Sequence, residues 1–436
     1  MLFVLRNSWP LLLGMMLLML GNGLQGTLLG IRGSIEGYDA ATMSLVMSGY
    51  FVGFLLGSRR APIMIRQVGH VRVFAALASM ISAAFVLYAA APDPWIWVGM
   101  RVIVGFCFAG VYVVAESWLN DAATNETRGQ ALSLYMIVQM VGIIASQGIL
   151  TLGDPSGYGL FIVMSVLVSV SFTPILLTAG TAPAFQTTKP MTLAQLFNTS
   201  PLGCVGTFLL GGVFAGIFGM SSVFGTEKGL SVAQISAFVA AIYTGGLLAQ
   251  YPIGWASDRM DRRKLIFGLT AVGSVVTLAG MAVSDLFIVL LAIGFLIGSV
   301  ANPLYSLLIA YTNDFLEPSD MAAASGGLLF INGLGAMTGP LLIGALMTRF
   351  GADAFFAYLA AMFILVSFYA LYRMTTNDID EPLCMAIAPT GRIIDVSPIC
   401  ITVLSDSQYR AWVIEADVDG TTAFALYLEP IRYVGI

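Results

Sequence analysis

Residues 254–263 read Gly-Trp-Ala-Ser-Asp-Arg-Met-Asp-Arg-Arg, and this charged stretch joins two long apolar runs, 233–256 and 265–284. Runs of this length can cross a bilayer as helices. Four of the residues 259–264 are basic, which is typical of a cytoplasmic loop because positive charge concentrates on that side of a membrane. The stretch therefore predicts two membrane helices joined by a short loop on the inside.

The composition of the whole chain agrees with a membrane protein. Of its 436 residues, 58% are hydrophobic and 10% are charged, whereas a soluble domain carries about 25% charged residues. These values exclude a soluble enzyme, a disordered chain, a collagen-like chain and a coiled coil. No basic surface for nucleic acid is expected, and we predict that the protein is not an enzyme.

Apolar runs long enough to span a bilayer recur through the first 373 residues. The twelve runs are 9–31, 41–58, 73–91, 95–118, 129–152, 159–179, 202–225, 233–256, 265–284, 286–311, 321–347 and 354–373. They predict an all-α integral membrane protein with twelve transmembrane helices. The first run resembles a signal peptide in position, but its length and the eleven runs after it predict a retained helix.

The distribution of Lys and Arg predicts the orientation of these spans. With a cytoplasmic N-terminus, twelve basic residues flank the spans on the inside and three on the outside. The inside residues are Arg6, Arg59, Arg60, Arg66, Arg72, Arg128, Lys189, Arg259, Arg262, Arg263, Lys264 and Arg373, and the outside residues are Arg32, Lys228 and Arg349. Both termini are therefore expected in the cytoplasm. The protein itself is expected in the inner membrane of the cell.

The longest connection between spans, 181–201, follows the sixth span and predicts a cytoplasmic linker between two bundles. The predicted N-terminal bundle is 1–180 and the C-terminal bundle is 202–374. A short internal repeat supports this division. Asn120-Asp121 recurs as Asn313-Asp314 at an offset of 193, and the loop after the second span recurs after the eighth at an offset of 192.

Residues 375–436 differ in character from the rest of the chain. They include no spanning run, and after Arg373 there are nine acidic and three basic residues. Residues 408–416 and 421–429 are rich in β-favouring side chains, and Val418-Asp419-Gly420 between them is a hairpin signal. A short, acidic, strand-containing cytoplasmic tail is predicted.

The loop at 254–263 resembles the signature G-x-x-x-D-R-x-G-R-R of the major facilitator superfamily, with Asp261 in place of the usual glycine. In the loop after the second span, Arg66 stands where the signature acid would be, and Gly69 is kept. The resemblance covers about residues 9–373. It implies the fold of that superfamily, two six-helix repeats with a substrate site between them at mid-membrane.

Several residues are candidates for a conformational latch. They are Gly254, Asp258, Arg259, Arg262, Arg263, Glu116 and Arg128. A carboxylate at a helix N-terminus is stabilised by the helix dipole, which favours a latch on Asp258. The alternative is that the bases only orient the protein. For Glu116 the open interpretations are an ion-pair network with Arg59, Arg60 or Arg128, and a protonation site coupled to transport.

A second group of residues is predicted to bind the solute or the coupling ion. Arg101 and Gly105 resemble the R-x-x-x-G motif of the family, and an arginine within a span is usually paired or faces a cavity. In the family fold the first, fourth, seventh and tenth helices line the central cavity. That analogy selects Asn22, Gln25, Arg101, Tyr112, Asn302 and Tyr305, and the alternative for each is a hydrogen bond between helices.

These features predict a secondary active transporter of a small organic solute, with a proton as the coupling ion implied by the resemblance. The alternative is a non-transporting sensor or assembly factor that acts through its tail. No cofactor is expected. The four cysteines and the single histidine, His70, form no metal-ligand pattern. The predicted partners are the solute and the lipid bilayer, and the protein is predicted to be a monomer.

Overall fold

A computed structural model of the chain describes residues 2–122, 128–177, 191–317, 320–380, 409–418 and 421–430. Contacts group the chain into two units, Met1–Ala370 and Leu371–Ile436. The first unit is built from helices, because a helix satisfies its own backbone hydrogen bonds within an apolar environment.

The first six spans are helical over most of their length. The first five are α1 Leu2–Ile35, α2 Ala40–Val68, α3 His70–Ala90, α4 Pro94–Ala122 and α5 Arg128–Thr151. The sixth consists of α6 Gly159–Ser171 and α7 Thr173–Leu177, so a break at Phe172 divides the helix that we predicted over 159–179.

The last six spans follow a short helix, α8 Leu193–Thr199. The seventh span consists of α9 Pro201–Ala215, a π-helical turn Gly216–Met220 and α10 Ser221–Glu227. The others are α11 Val232–Ser257, α12 Arg262–Val283, α13 Phe287–Asn313, α14 Met321–Phe350 and α15 Ala354–Asp380. Twelve described helices are long and apolar enough to cross a membrane, which confirms the predicted number.

Polar caps and one-residue turns set the ends of several helices. Asp39 caps α2 by accepting a hydrogen bond from the backbone N–H of Thr42 at 2.9 Å. Hydrogen bonds from the side chain of Thr42 and then from its backbone lower the pKa of the Asp39 carboxyl. Gly69 alone separates α2 from α3, with φ near 85°. That backbone conformation favours glycine, which explains the residue at this loop position.

Glycines allow the second and fourth spans to cross closely. A side chain at Gly53 would overlap the backbone carbonyl of Val102, and one at Gly105 would overlap that of Tyr50. Small residues at such crossings let two backbones approach in a membrane protein. The crossing fixes how α4 is rotated relative to α2.

The eighth and tenth spans cross in the same way. Gly245 faces the backbone carbonyl of Phe295, and Gly245 follows Gly53 by 192 residues. Gly298, which also faces a backbone carbonyl, follows Gly105 by 193 residues. The offsets equal those of the sequence repeat, so the repeat extends to the helix crossings. The predicted linker falls partly on residues 178–190, which lie outside the described residues.

In the second unit, two strands form an antiparallel pair. They are β1 Tyr409–Val418 and β2 Thr421–Pro430, with Tyr409 opposite Pro430 and Val418 opposite Thr421. The predicted turn residues Asp419 and Gly420 lie outside the described residues. The last membrane helix continues to Asp380, past the predicted start of the tail at 375.

Candidate functional site

A cavity of about 290 Å³ lies between the first six spans and the last six. Four spans of the first half line it (the first, second, fourth and fifth), and so do the seventh, eighth, tenth and eleventh of the second half. Its polar and aromatic lining residues include Asn22, Tyr50, Arg101, Tyr112, Gln139, Phe214, Phe218, Tyr243, Asn302 and Asn332. This volume is near the lower end of the range for small-molecule sites.

Arg101 carries the single formal charge among the described residues that line the cavity. Its side chain is 4% exposed, Nη2 donates to the sulfur of Met47 at 3.3 Å, and the guanidinium carbon lies 4.9 Å from the centroid of the Tyr50 ring. Nε is buried without a hydrogen-bond partner, and no acid in the described part of the chain pairs with Arg101. An anion in the cavity would complement this charge.

Hydroxyl and amide groups surround Arg101 on the first-half wall. Asn22 and Tyr112 interact with the hydroxyl of Tyr50. The ring of Phe54 stacks near Tyr50 with centroids 6.2 Å apart, and it lies 6.1 Å from the ring of Tyr112. This wall therefore combines one cation, neutral hydrogen-bonding groups and aromatic edges.

The second-half wall carries a row of three near-parallel rings. Phe214 and Phe218 stack with centroids 5.2 Å apart and an interplanar angle of 19°. Phe218 and Tyr243 stack at 5.0 Å and 15°. Phe218 lies in the π-helical turn Gly216–Met220, and such turns often occur at functional sites because they change which side chains face inward.

Two asparagines complete the second-half wall. The amide nitrogen of Asn302 donates to the carbonyl of Gly298 at 3.3 Å, and that of Asn332 donates to the carbonyl of Thr207 at 3.1 Å. Each bond holds the amide group against a helix backbone. The wall thus presents neutral polar groups beside the aromatic row.

The structure brings together four of the six predicted solute-site residues. Asn22, Arg101, Tyr112 and Asn302 line the cavity. Gln25 instead points to the third span, where its amide nitrogen donates to the hydroxyl of Tyr88 at 2.9 Å, and its side chain is buried. Tyr305 is not in the lining but packs beside it, with its ring 6.1 Å from that of Phe214.

Six of the polar and aromatic lining residues named above were not selected from the sequence: Tyr50, Gln139, Phe214, Phe218, Tyr243 and Asn332. Gln139 and Asn332 lie on the fifth and eleventh spans, which the family analogy left out, although a polar residue in an apolar run was a usable signal. Tyr50 and Tyr243 lie on the second and eighth spans. Tyrosine is enriched where spans meet the membrane–water interface, so these two residues gave no distinctive signal of a cavity.

Glu116 is exposed although it lies within the fourth span. It makes no ion pair in the described part of the chain. Arg59, one of its predicted partners, instead lies over the ring of Phe330 at 4.2 Å. Arg60 is exposed, and the side chain of Arg128 lies outside the described residues. Among the described side chains, neither Arg59 nor Arg60 pairs with Glu116, and the pair with Arg128 stays a prediction.

The charged loop at 254–263 forms contacts within the second half. Arg262 pairs with Asp314 at the end of the tenth span and donates to the Ala310 carbonyl at 3.4 Å and to Ser257 at 3.1 Å. Asp258 lies 3.8 Å from its guanidinium. The guanidinium of Arg259 lies 4.3 Å from the centroid of the Trp255 ring. Gly254 faces open space. Arg262 thus links the eighth, ninth and tenth spans.

The prediction that the helix dipole stabilises Asp258 at a helix N-terminus is wrong. Asp258 lies at the C-terminal end of α11, where the helix dipole does not favour a carboxylate. The N-cap in this loop is Asp261, whose Oδ1 accepts from the backbone N–H of Arg263 at 2.8 Å. The aspartate that departs from the family signature therefore starts the ninth span.

The two halves meet closely at the end where α1 finishes and α2 begins. The hydroxyl of Ser48 donates to the carbonyl of Met337 at 3.0 Å, and that of Ser222 donates to the carbonyl of Gly26 at 3.4 Å. A side chain at Gly344 would overlap Ser44. These contacts join the first half to the second on one side of the cavity.

No group of three or more potential metal ligands occurs among the described residues. Cys107 and Cys204 are buried free thiols, and burial is typical of structural cysteines.

Known proteins resemble this chain in sequence. The model of the major facilitator superfamily (MFS) matches residues 11–238 and 203–383. An uncharacterized MFS-type transporter of Yersinia pestis is 26% identical over 360 residues, which are 81% of this chain and 92% of that protein. The uncharacterized MFS-type transporter YcaD of Escherichia fergusonii is 25% identical over 379 residues, covering 85% and 96%.

Solved structures resemble it in fold. The nucleoside transporter NupG has a TM-score of 0.72 at 14% identity, with 84% of this chain and 98% of that chain covered. A bacterial homologue of the human lysosomal transporter Spinster, in an inward-facing and occupied conformation, has a TM-score of 0.70 at 14% identity, covering 86% and 96%. The twelve spans and the family match together show that this chain is a multi-pass integral membrane protein of the major facilitator superfamily.

Proposed function

We propose that this protein is a secondary active transporter that moves a small organic solute across the bacterial inner membrane by alternating access. The observation that carries the proposal is the cavity between the halves, with Arg101 in its wall. A site at the interface of two repeats becomes accessible to either side when the halves rock about it. The similar structures include a nucleoside transporter and a human organic anion transporter, so the shared fold does not select the solute.

The charged loops support an orientation with both termini and the 254–263 loop in the cytoplasm. The end closed by Ser48, Met337 and Ser222 is then the outer end. Glu116, which is exposed, lies toward the inner end of the fourth span. The site is complete within one chain, which supports a monomer as the working unit.

We assign proton coupling to Glu116. It lies near the inner end of the fourth span, is exposed and has no ion-pair partner in the described part of the chain. A carboxyl in this position is free to exchange a proton with the cytoplasmic side. Tyr112, one helical turn before Glu116 on the same span, lines the cavity.

Proteoliposomes that contain the full chain and a trapped pH-sensitive dye test this proposal. A panel of labelled organic solutes is screened for counterflow, and each positive solute is then tested for proton movement. Glu116→Gln is expected to keep solute exchange but to lose solute-driven proton movement. Glu317→Gln, a change at an exposed acid outside the spans, is the control. Unchanged proton movement in Glu116→Gln would contradict the coupling role.

A further inference from the structure

The charge of the cavity limits the solutes that it accepts. Arg101 is buried, lines the cavity and pairs with no acid among the described residues, and the described lining includes no carboxylate and no second cation. A cationic solute would meet this guanidinium in a poorly solvated space, where like charges repel strongly. One monovalent anion would neutralise it. The cavity therefore favours a solute with a net charge of −1.

The neutral groups of the wall narrow the chemistry further. Asn22, Gln139, Asn302 and Asn332 offer hydrogen bonds without charge. An amino acid carries an ammonium group that needs an acidic partner, and no described lining residue supplies one. A phosphate monoester is close to doubly charged at neutral pH, so one arginine would leave a negative charge uncompensated. A carboxylate matches a single guanidinium in charge and geometry.

The aromatic row of the second half provides a flat apolar surface. Phe214, Phe218 and Tyr243 are each partly exposed at the cavity, and their planes lie within 19° of their neighbours. Aromatic rings associate preferentially in offset-stacked or edge-to-face geometries. A planar ring in the solute would extend the row, whereas a puckered saturated ring would make fewer close contacts.

We propose that the cavity is selective for monocarboxylates built on a planar aromatic ring. The carboxylate pairs with Arg101 of the first half, and the ring stacks on the row formed by Phe214, Phe218 and Tyr243 of the second half. The solute therefore joins the two halves. This inference rests on the proposed transport function, because the same cavity is the solute site, and it adds the class of solute.

Binding to the purified full chain tests the inference independently of transport. Benzoate and indole-3-carboxylate are the probes, and ligand-dependent thermal stabilisation and calorimetry give their affinities. Benzamide lacks the charge, cyclohexanecarboxylate lacks the planar ring, phenyltrimethylammonium reverses the charge, and phenylalanine adds an ammonium group. We expect at least one aromatic acid to bind. We expect the affinity of each control compound to be lower than that of this acid by about tenfold or more.

Matched variants test the carboxylate contact and the ring contact of the site separately. Arg101→Gln is expected to lower the affinity for the aromatic acid and to leave the affinity for benzamide unchanged. Phe218→Leu is expected to remove the preference for benzoate over cyclohexanecarboxylate. The controls are Arg349→Gln, which lies outside the cavity lining, and Phe368→Leu, whose side chain is 69% exposed. Phe218→Leu keeps a large apolar side chain, so it provides a test if Arg101→Gln does not fold.

Three outcomes would overturn the inference: equal affinity for cyclohexanecarboxylate, tighter binding of the quaternary ammonium probe, or no binding of either aromatic acid. If another solute shows counterflow while the aromatic acids do not bind, the inference fails and the transport function stands. If an aromatic acid binds as expected but shows no counterflow, the solute class stands and the transport function fails.

Discussion

Gly53 and Gly245 stand 192 residues apart and make the same contact, each facing a backbone carbonyl of the span that it crosses. A methyl group at either position would overlap that carbonyl, and a helix backbone yields less than a side chain. Gly53→Ala and Gly245→Ala are each expected to lower the free energy of unfolding by about 1–3 kcal/mol. Thermal unfolding of the purified variants measures the loss.

Two other glycines provide the control for these substitutions. Gly99 and Gly268 lie inside helices with no neighbouring atom near the added methyl group. Alanine has the higher helix propensity, so Gly99→Ala and Gly268→Ala are expected to be neutral or stabilising by up to about 1 kcal/mol. An equal loss at all four positions would show that close helix approach is not the cause.

The ion cluster around Lys228 is expected to stabilise the second half in a pH-dependent way. Its amine lies 2.9 Å from Asp353 Oδ1 and 3.0 Å from Asp285. Burial acts to lower the pKa of Lys228, but the bonds to the two carboxylates outweigh it and raise the pKa above 10.5. A raised lysine pKa gives stability that is fully present below the unfolded value and is lost as the pH rises through the folded value.

Lys228→Gln is therefore expected to lower stability by about 1 kcal/mol or less at neutral pH, because both carboxylates are partly open to solvent. The difference between the wild type and Lys228→Gln should shrink as the pH rises above 10.5. Unfolding midpoints measured from pH 7.5 to 11.5 give this difference. A gap that stays constant over that range would contradict the contribution of the charged amine.

The two aspartates near Arg262 are expected to differ in their contribution. Arg262 pairs directly with Asp314, whereas Asp258 lies 3.8 Å away with a side chain that is 73% exposed. Asp314→Asn should lower the free energy of unfolding by about 0.5–1 kcal/mol, and Asp258→Asn by less. A double-mutant cycle with Arg262→Gln measures each coupling. A larger coupling to Asp258 would restore it as the centre of the latch.

Gln25 and Asn22 are expected to separate stability from binding. Gln25 faces Tyr88 of the third span, whereas Asn22 lines the cavity. Gln25→Met removes one hydrogen bond between helices and should lower the free energy of unfolding by about 0.6 kcal/mol, with ligand affinity unchanged. Asn22→Ala should weaken ligand binding. Calorimetry and thermal unfolding on both variants check this, and a loss of affinity in Gln25→Met would place that residue at the site.

The twelve spans could be predicted from the sequence because membrane insertion depends on summed hydropathy, which is a property of composition over a window. Arg101 could be predicted as a site residue for a related reason. A charged side chain within an apolar run is costly to expose to lipid, whatever the rotation of the helix about its axis. It is therefore expected to be paired or to face a cavity. The family was recognisable from the Gly254–Arg263 loop, whose charges are local in sequence.

Which side chains share the cavity depends on tertiary structure. Asn22 and Gln25 are three residues apart on one helix, and hydropathy does not distinguish them, yet one lines the cavity and the other faces the third span. The rotation of each helix is set by its close crossings, such as that at Gly53, and by the π-helical turn that carries Phe218. These depend on packing between spans distant in the chain, so only the assembled fold decides them.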